Sequence, residues 1–399
     1  MTKLLYLVHR IPYPPNKGDK IRSFHFLKAL AENYEVYLGT FIDDPEDRQY
    51  IEALKPFCKQ CFCLDLQPKI SRIKSLTGFL TQEALSLPYY RHADMQAWVD
   101  QVLREECIEK ALVFSSPMAQ YLQKYPQLHW VADFVDVDSD KWRQYAERKP
   151  WPANWVYRRE AHKLLAFETR MAQRADATLF VSAHEAQLFR QLAPDVAETV
   201  GFVNNGTDTE FFDPALSYDS PFPDAQKAIV FTGAMDYWAN VDAVVWFAQQ
   251  VFPLIRQQCA EARFYIVGSK PAKSVQQLAQ ADAGVIVTGR VEDVRAYIAH
   301  ADVVVAPLRI ARGIQNKVLE AMAMAKPLVV TAAAMEGIQG DATTQVSVID
   351  EPQGFAEQVL AYLRDPVPPL LSNRQYVQAE FSWQHHGEQL CRLLSGEAQ

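Results

Sequence analysis

Pro307-Leu308-Arg309-Ile310-Ala311-Arg312-Gly313-Ile314-Gln315-Asn316-Lys317-Val318-Leu319-Glu320-Ala321-Met322-Ala323-Met324-Ala325-Lys326-Pro327 is the stretch on which the fold turns. Ahead of it runs the short apolar segment Asp302 to Ala306, and behind it a second one begins at Pro327. Both are strand-sized, and the residues between them carry a helical spacing of apolar side chains. Strand, loop, helix and strand in that order make a βαβ unit of a parallel sheet. The spacing predicts a strand ending at Ala306 or Pro307, a basic loop, and a helix opening near Gly313 or Ile314.

The same alternation extends in both directions. Strands are expected near 3–8, 35–40, 61–66, 111–115, 129–134, 177–181 and 199–203, then near 228–232, 262–267, 284–288, 302–306, 327–331 and 345–349. Helices are expected between them, among others Lys20 to Asn33, Trp155 to Arg174, Val241 to Arg256 and Ile314 to Ala325. Pro214, Pro221 and Pro223 interrupt the periodicity between the two blocks, and a chain of 399 residues exceeds what one core usually supports. Two Rossmann-like domains follow: 1–212, 213–375, and a final segment 376–399 expected to return to the first domain. Ligands of such sheets sit beyond the carboxyl ends of the strands, so a cleft lined by both domains is expected.

Composition narrows the function. The chain is 49% hydrophobic and 22% charged, enough for two cores and unlike a disordered chain. Residues 1–205 carry equal numbers of basic and acidic side chains, so the net charge of −8 belongs to the remainder. An acidic second half argues against a nucleic-acid partner. Met1-Thr2-Lys3 before Leu4 to Val8 resembles a leader only superficially, because His9-Arg10 ends the apolar run, and no window reaches spanning length. Cys58, Cys61 and Cys63 lack a second ligand pair at zinc spacing and read as strand residues of a chain in a reducing cytoplasm. No cofactor or metal is called for.

The first strand is followed by Ile11-Pro12-Tyr13-Pro14-Pro15-Asn16-Lys17-Gly18, which lacks G-x-G-x-x-G, and no P-loop occurs. Nicotinamide chemistry and phosphoryl transfer lose their main support. The basic loop and helix start at Arg309 to Lys317 instead suit a phosphate, through free N–H groups, the helix dipole and the charges of Arg309, Arg312 and Lys317. Asn316, Lys317 and Glu320 fall on one helix face and would place a sugar hydroxyl one turn further in. The bland alternative is a solvated charged face. Glycines at predicted strand ends, Gly233, Gly268 and Gly289 with Arg290, either ring that pocket or serve ordinary turns.

In the first half, Gly18 opens a helix and lets backbone approach a ligand closely. Arg22 and His25, one turn apart, are candidates for the acceptor side or for ordinary positions. Asp136-Val137-Asp138 is literally D-x-D, able in principle to hold a divalent ion against a diphosphate. It lies, however, in the half without the phosphate features. Asp136 is therefore assigned to the acceptor side, with Asp138 beside it or, like Ser139, capping the helix that follows. Lys69, Arg72 and Lys74 interleave with Ile70, Ile73 and Leu76, which reads either as a surface helix packed on its own domain or as a patch resting on an anionic leaflet.

These motifs resemble glycosyltransferase family 4, a retaining group with the GT-B fold. Its E-x₇-E motif places the second Glu on the donor ribose, and Glu320 matches that position. The first Glu falls on Arg312, so its role does not carry over. Val203-Asn204-Asn205-Gly206-Thr207-Asp208 and Phe381-Ser382-Trp383 are further matches. The closer resemblance, through Asp133 to Trp142, Thr232 to Tyr237 and Ala311 to Lys317, is to sugar transferases associated with PEP-CTERM/exosortase exopolysaccharide systems. It implies a glycosyltransferase using a nucleotide-sugar donor and a glycan or lipid-linked acceptor, cytoplasmic or peripheral on the inner membrane. On this reading Arg312, Lys317 and Asp136 carry catalysis. Gly18, Gly233, Arg290, Arg309, Gly313, Asn316 and Glu320 hold the donor, and Arg22, His25 and Asp138 the acceptor. A silent nucleotide-sugar-binding subunit and an epimerase of the same fold stand as alternatives.

Overall fold

A computed structural model of the protein describes residues 1–15, 18–147, 149–311 and 314–396. The chain divides into two compact units, one comprising Met1–Gly206 together with the segment from His386, the other Thr207–His385.

In the first unit the strands are β1 (Thr2–Val8), β2 (Tyr34–Ile42), β3 (Gln60–Asp65), β4 (Lys110–Phe114), β5 (His129–Val135), β6 (Ala177–Phe180) and β7 (Val200–Phe202). They pair in parallel in the order β3-β2-β1-β4-β5-β6-β7. Sheets of this kind are covered on both faces, which is why Leu4 to Val8 form an unbroken apolar run and are fully buried. Packing is close enough that a Cβ on Gly39 of β2 would lie 2.7 Å from the Trp98 ring and 2.9 Å from Leu7.

The second unit holds β8 (Lys227–Thr232), β9 (Ala262–Val267), β10 (Val285–Gly289), β11 (Val303–Ala306), β12 (Leu328–Val330) and β13 (Ser347–Val348), again all parallel, in the order β10-β9-β8-β11-β12-β13. Both sheets reverse direction of growth once, between β1 and β4 and between β8 and β11. The carboxyl ends of those four strands mark where each sheet leaves a crevice for a ligand.

Three features depart from the sequence expectations. The expected helix Val241 to Arg256 is two helices, Trp238–Trp246 and Phe252–Gln258, joined by the π-helical turn Phe247–Val251. Pro253, lacking an N–H, cannot continue the regular ladder, and the turn absorbs the break. The change of unit comes at Gly206, ahead of the proline-interrupted segment, because the residues just after it are built into the second unit. There Thr207 N donates to Phe381 O at 2.6 Å, and Arg374 donates to the carbonyls of Thr209 at 2.9 Å and Phe212 at 2.7 Å. The helix Leu371–Glu380 also stays with the second unit, where Asn373 and Gln345 exchange hydrogen bonds at 2.7 and 2.9 Å. Only from His386, within the helix Trp383–Ser395, does the chain rejoin the first unit, burying Leu390 and Leu394 and seating Gly387 on Ala29.

Candidate functional site

In the second unit the carboxyl ends of β8, β9 and β10 close on one another through glycine. Gly233 N donates to Val267 O at 3.0 Å, and Gly268 N to Gly289 O at 3.2 Å. A Cβ on Gly268 would stand 1.6 Å from Gly233 O, so no side chain fits there. Asn240 locks the first turn by donating to Ala234 O at 2.9 Å, while its own buried Oδ1 has no partner among the described residues. Backbone thus lines the strand ends that flank the crevice, as a close-fitting ligand requires.

Across the switch point, β11 leads to the helix Asn316–Ala323, which opens at Asn316 because Gln315 is extended. The start is later than the expected Ile314, so Asn316 and Lys317 supply its first N–H groups. Val318, Leu319, Ala321, Met322 and Ala323 are fully buried against the core. Asn316, Lys317 and Glu320 occupy the opposite face. Lys317 reaches back toward β8, with Nζ 5.5 Å from the centre of the Phe231 ring.

Lys317 and Glu320 each keep some exposure, yet protein crowds their remaining sides. Burial pushes the Lys317 ammonium down to about 8, partly opposed by Glu320, and pushes the Glu320 carboxyl up to about 7, partly opposed by Lys317. Among the described residues neither side chain has a hydrogen-bond or ion-pair partner. A freely solvated charged face would show no such displacement. Two opposite charges held short of full stabilisation at the switch point are ready to take an anion and a hydroxyl donor.

Other candidates of this unit fare differently. Arg309 is spoken for: its guanidinium forms a bidentate pair with Asp242, Nε to Oδ2 at 3.0 Å, on a half-exposed surface. It steadies the basic loop against the helix Trp238–Trp246. Arg290 is exposed just beyond Gly289, on the edge strand β10 and two strands from the switch point. Arg312 and Gly313 lie outside the described residues, as do Asn16 and Lys17.

The first unit gathers its polar groups at the carboxyl ends of β1, β4 and β5. His9 follows β1 and stacks on Phe114 of β4, with ring centroids 5.8 Å apart and planes 3° from parallel. Asp19, one residue into the helix that Gly18 opens, takes Arg10 at 2.7 Å and faces His9 at 3.5 Å. Against the upward push of burial, these neighbours hold the Asp19 carboxyl well below the usual range. A Cβ on Gly18 would meet no described atom within 4 Å, so the space before this helix is open. Strain accumulates beside it: Ser115 after β4 has φ 77° and Val135 at the end of β5 has φ 70°. Left-handed backbone is costly for a β-branched residue. The β5 bulge at Val135 turns the following Asp136 out of the sheet.

Lys141 settles what Asp136 and Asp138 do within the chain. Its ammonium lies 2.7 Å from Asp136 and 3.2 Å from Asp138, in the position a divalent ion would take. The expected caps are corrected as well, since Ser139 Oγ donates instead to Glu168 Oε2 at 2.6 Å. Ser116 Oγ donates to Glu168 Oε1 at 3.1 Å, and burial pushes this fully enclosed carboxyl up to about 8. Among the described residues no cluster has the ligands to hold a metal ion.

Arg22 is the clear correction. Its side chain is fully buried, forms a bidentate pair with Asp133 at 2.8 and 3.1 Å, and donates to Val203 O at 2.8 Å and Asn205 Oδ1 at 3.2 Å. With four of its N–H groups bonded inside the unit and its side chain without exposed surface, it ties the first helix to β5 and to the chain beyond β7 and presents nothing to an acceptor. His25 sits half-buried on the same helix, its ring edge-on to Phe24. The sequence reading missed His9, Lys141 and Glu168. Lys141 carried a local signal, three and five residues after the two aspartates. Glu168 lies in mid-helix and carried none.

Residues 226–365, which include the glycine-closed strand ends, Lys317 and Glu320, match the family model described as "Glycosyl transferases group 1". No curated protein sequence matches the chain. The whole chain is similar to solved structures. HepE of Anabaena, in complex with UDP, is 16% identical with a TM-score of 0.62 over 99% of this chain and 100% of its own. Sucrose-phosphate synthase from Thermosynechococcus elongatus is 18% identical with a TM-score of 0.65 over 99% of each chain. WaaG, a glycosyltransferase involved in lipopolysaccharide biosynthesis, is 16% identical with a TM-score of 0.62 over 98% of this chain and 100% of its own. The fold is therefore GT-B, two Rossmann-like domains each built on a parallel sheet.

Proposed function

We propose that the protein is a glycosyltransferase that takes a sugar from a nucleoside-diphosphate sugar and passes it to a glycan or lipid-linked acceptor. The observation that carries this reading is the Lys317 and Glu320 pair at the switch point of the second unit, inside the segment that matches the glycosyltransferase model. HepE has been seen with UDP and with UDP-glucose, which supports a nucleotide-sugar as the donor here.

The chemical task is departure of a nucleoside diphosphate from the anomeric carbon. Negative charge grows on the leaving phosphate, and preorganised positive groups aimed there supply the largest catalytic contribution. Lys317 and the first N–H groups of its helix fill that role, with Arg312 beside them by its place in the sequence. Glu320 accepts from the ribose hydroxyls. The glycine turns after β8, β9 and β10 let the nucleotide approach the backbone. On the acceptor side, Asp136, held in an ion pair with Lys141, orients the attacking hydroxyl. With the Lys317 ammonium and the helix N–H groups meeting the phosphate charge, transfer needs no divalent metal. Retention of anomeric configuration and an exopolysaccharide product rest on the motif resemblance.

The test is release of nucleoside diphosphate from a panel of nucleotide-sugars, after exhaustive chelation, with and without a bacterial lipid extract as acceptor. Acceptor-stimulated release is expected. A folded protein that binds nucleotide and turns over none of the panel would instead be a binding subunit. Conversion of free donor to its epimer would make it an epimerase, and loss of activity restored by Mg²⁺ or Mn²⁺ would return Asp136 and Asp138 to metal binding.

A further inference from the structure

The segment from Gln67 to Leu80 carries Lys69, Arg72 and Lys74 and no carboxylate, in a chain whose net charge is −8. It folds as the helix Pro68–Ser75 and the short helix Thr77–Leu80. A surface helix that merely packs on its own domain buries its apolar side chains and turns its polar ones outward. Here the arrangement is inverted. The buried residue of Pro68–Ser75 is Ser71, whereas Ile70 is 48% exposed, Ile73 69%, Leu76 55% and Leu80 86%.

A second element adds to the same surface. Trp151 and Trp155, at the start of the helix Ala153–Ala172, are 80% and 55% exposed. The two elements are fixed together by Phe79, whose ring stacks on Trp155 with centroids 6.0 Å apart and planes 5° from parallel. Arg159 covers Phe79 at 4.8 Å and donates to Gly78 O at 2.6 Å and Glu83 O at 3.0 Å. Six large apolar side chains on one rigid surface exceed the scattered exposure that any soluble domain shows.

We infer that this surface of the first unit seats the protein on an anionic lipid bilayer, its cations toward headgroup phosphates and its tryptophans and aliphatic side chains in the interfacial layer. The mixture is that of interfacial helices, in which Lys and Arg meet the headgroups and Trp and Leu enter the acyl boundary. A protein partner is disfavoured because protein interfaces are depleted in Lys. A second copy meeting through the same patch would set three cations against three. The inference does not rest on the transfer reading, because lipid binding is measured without donor or acceptor.

The experiment is co-sedimentation of the intact chain with vesicles of phosphatidylcholine and phosphatidylglycerol in equal parts, against vesicles of phosphatidylcholine alone. Binding to the anionic vesicles, weakened by salt, is expected. Lys69→Ala/Arg72→Ala/Lys74→Ala should weaken it on the order of 100-fold, and Ile73→Ser/Leu80→Ser by on the order of tenfold or more. All these positions are exposed, so unchanged thermal unfolding and nucleotide affinity keep lipid binding apart from folding and from donor recognition. A wild-type chain that stays in the supernatant, or binding that neither variant weakens, overturns the assignment. A concentration-dependent dimer abolished by Ile73→Ser would give the surface to a second copy and overturn it equally.

Discussion

The Lys317 and Glu320 charges are held in conflict with their surroundings, and that conflict has a pH signature. The proposed function needs an ionised Glu320, pushed up to about 7, for the ribose hydroxyls and a protonated Lys317, pushed down to about 8, for the phosphate. The two titrate as a pair. Affinity for a nucleoside diphosphate should therefore rise as pH climbs through about 7 and fall again above about 8. Calorimetric titrations across that range check this, and a flat profile contradicts it. Arg22 makes the opposite case, a charge fully satisfied inside the fold. Arg22→Ala strands the buried Asp133 carboxylate and should destabilise the first unit by about 3–5 kcal/mol, with nucleotide affinity unchanged. Urea unfolding measures it, and a near-neutral effect would show that Asp133 finds another partner. The sequence led to Lys317 and Glu320 because a strand, a basic loop and a helix in succession define where they stand. It misled on Arg22 because helical spacing alone does not say which face meets the sheet. Arg22 lies on the face that also buries Ser23 and Phe26, with its guanidinium 4.6 Å above the Phe26 ring.

At the scale of elements, the central strands were legible because a parallel strand buried on both faces is a continuous apolar run, and the more exposed edge strands β3 and β13 because short apolar segments there continue the strand–helix alternation. Less was legible where one residue redirects an element, as Pro253 does to its helix or the Val135 bulge to Asp136. The glycine turns separate two kinds of constraint. Gly268→Ala forces a Cβ into the Gly233 carbonyl and should abolish nucleotide binding or folding of the second unit. Gly289→Ala meets no atom within 4 Å and bears only the cost of its φ of 69°, about 1–2 kcal/mol. Thermal unfolding of the two variants gives the ranking, and equal tolerance would contradict the close approach of β8 and β9. Glu168 between Ser116 and Ser139 links β4, the helix Asp138–Glu147 and the helix Ala153–Ala172. Its carboxyl is pushed up from an ordinary value near 4.5 to about 8. Folding therefore favours the protonated form, and the stability it contributes is complete below about 4.5 and lost as pH rises through about 8. Glu168→Gln, which keeps both contacts once one serine hydroxyl turns to accept from the amide, should flatten the decline of first-unit stability across that window. An unaltered slope in urea unfolding would show that Glu168 ionises freely. No local pattern announces this group; only the fold brings the three elements together.

At the scale of the whole molecule, the division of labour follows the charge. The acidic second unit sets Lys317 in the first turn of one helix beside Glu320, where the proposed function needs an anion held. The balanced first unit pairs its own carboxylates with Arg10, Arg22 and Lys141. No helix of the described residues is long and apolar enough to cross a membrane. Central to the proposed function is that a nucleoside diphosphate binds the second unit through Lys317 and Glu320. The direct measurement is calorimetric titration of UDP, GDP and ADP into the wild-type chain, Lys317→Met and Glu320→Ala, each verified as folded. Binding of at least one nucleotide is expected, weakened in each variant by about 1.5–3 kcal/mol, the worth of a hydrogen bond to a charged group. Wild-type binding that both folded variants retain undiminished would contradict it.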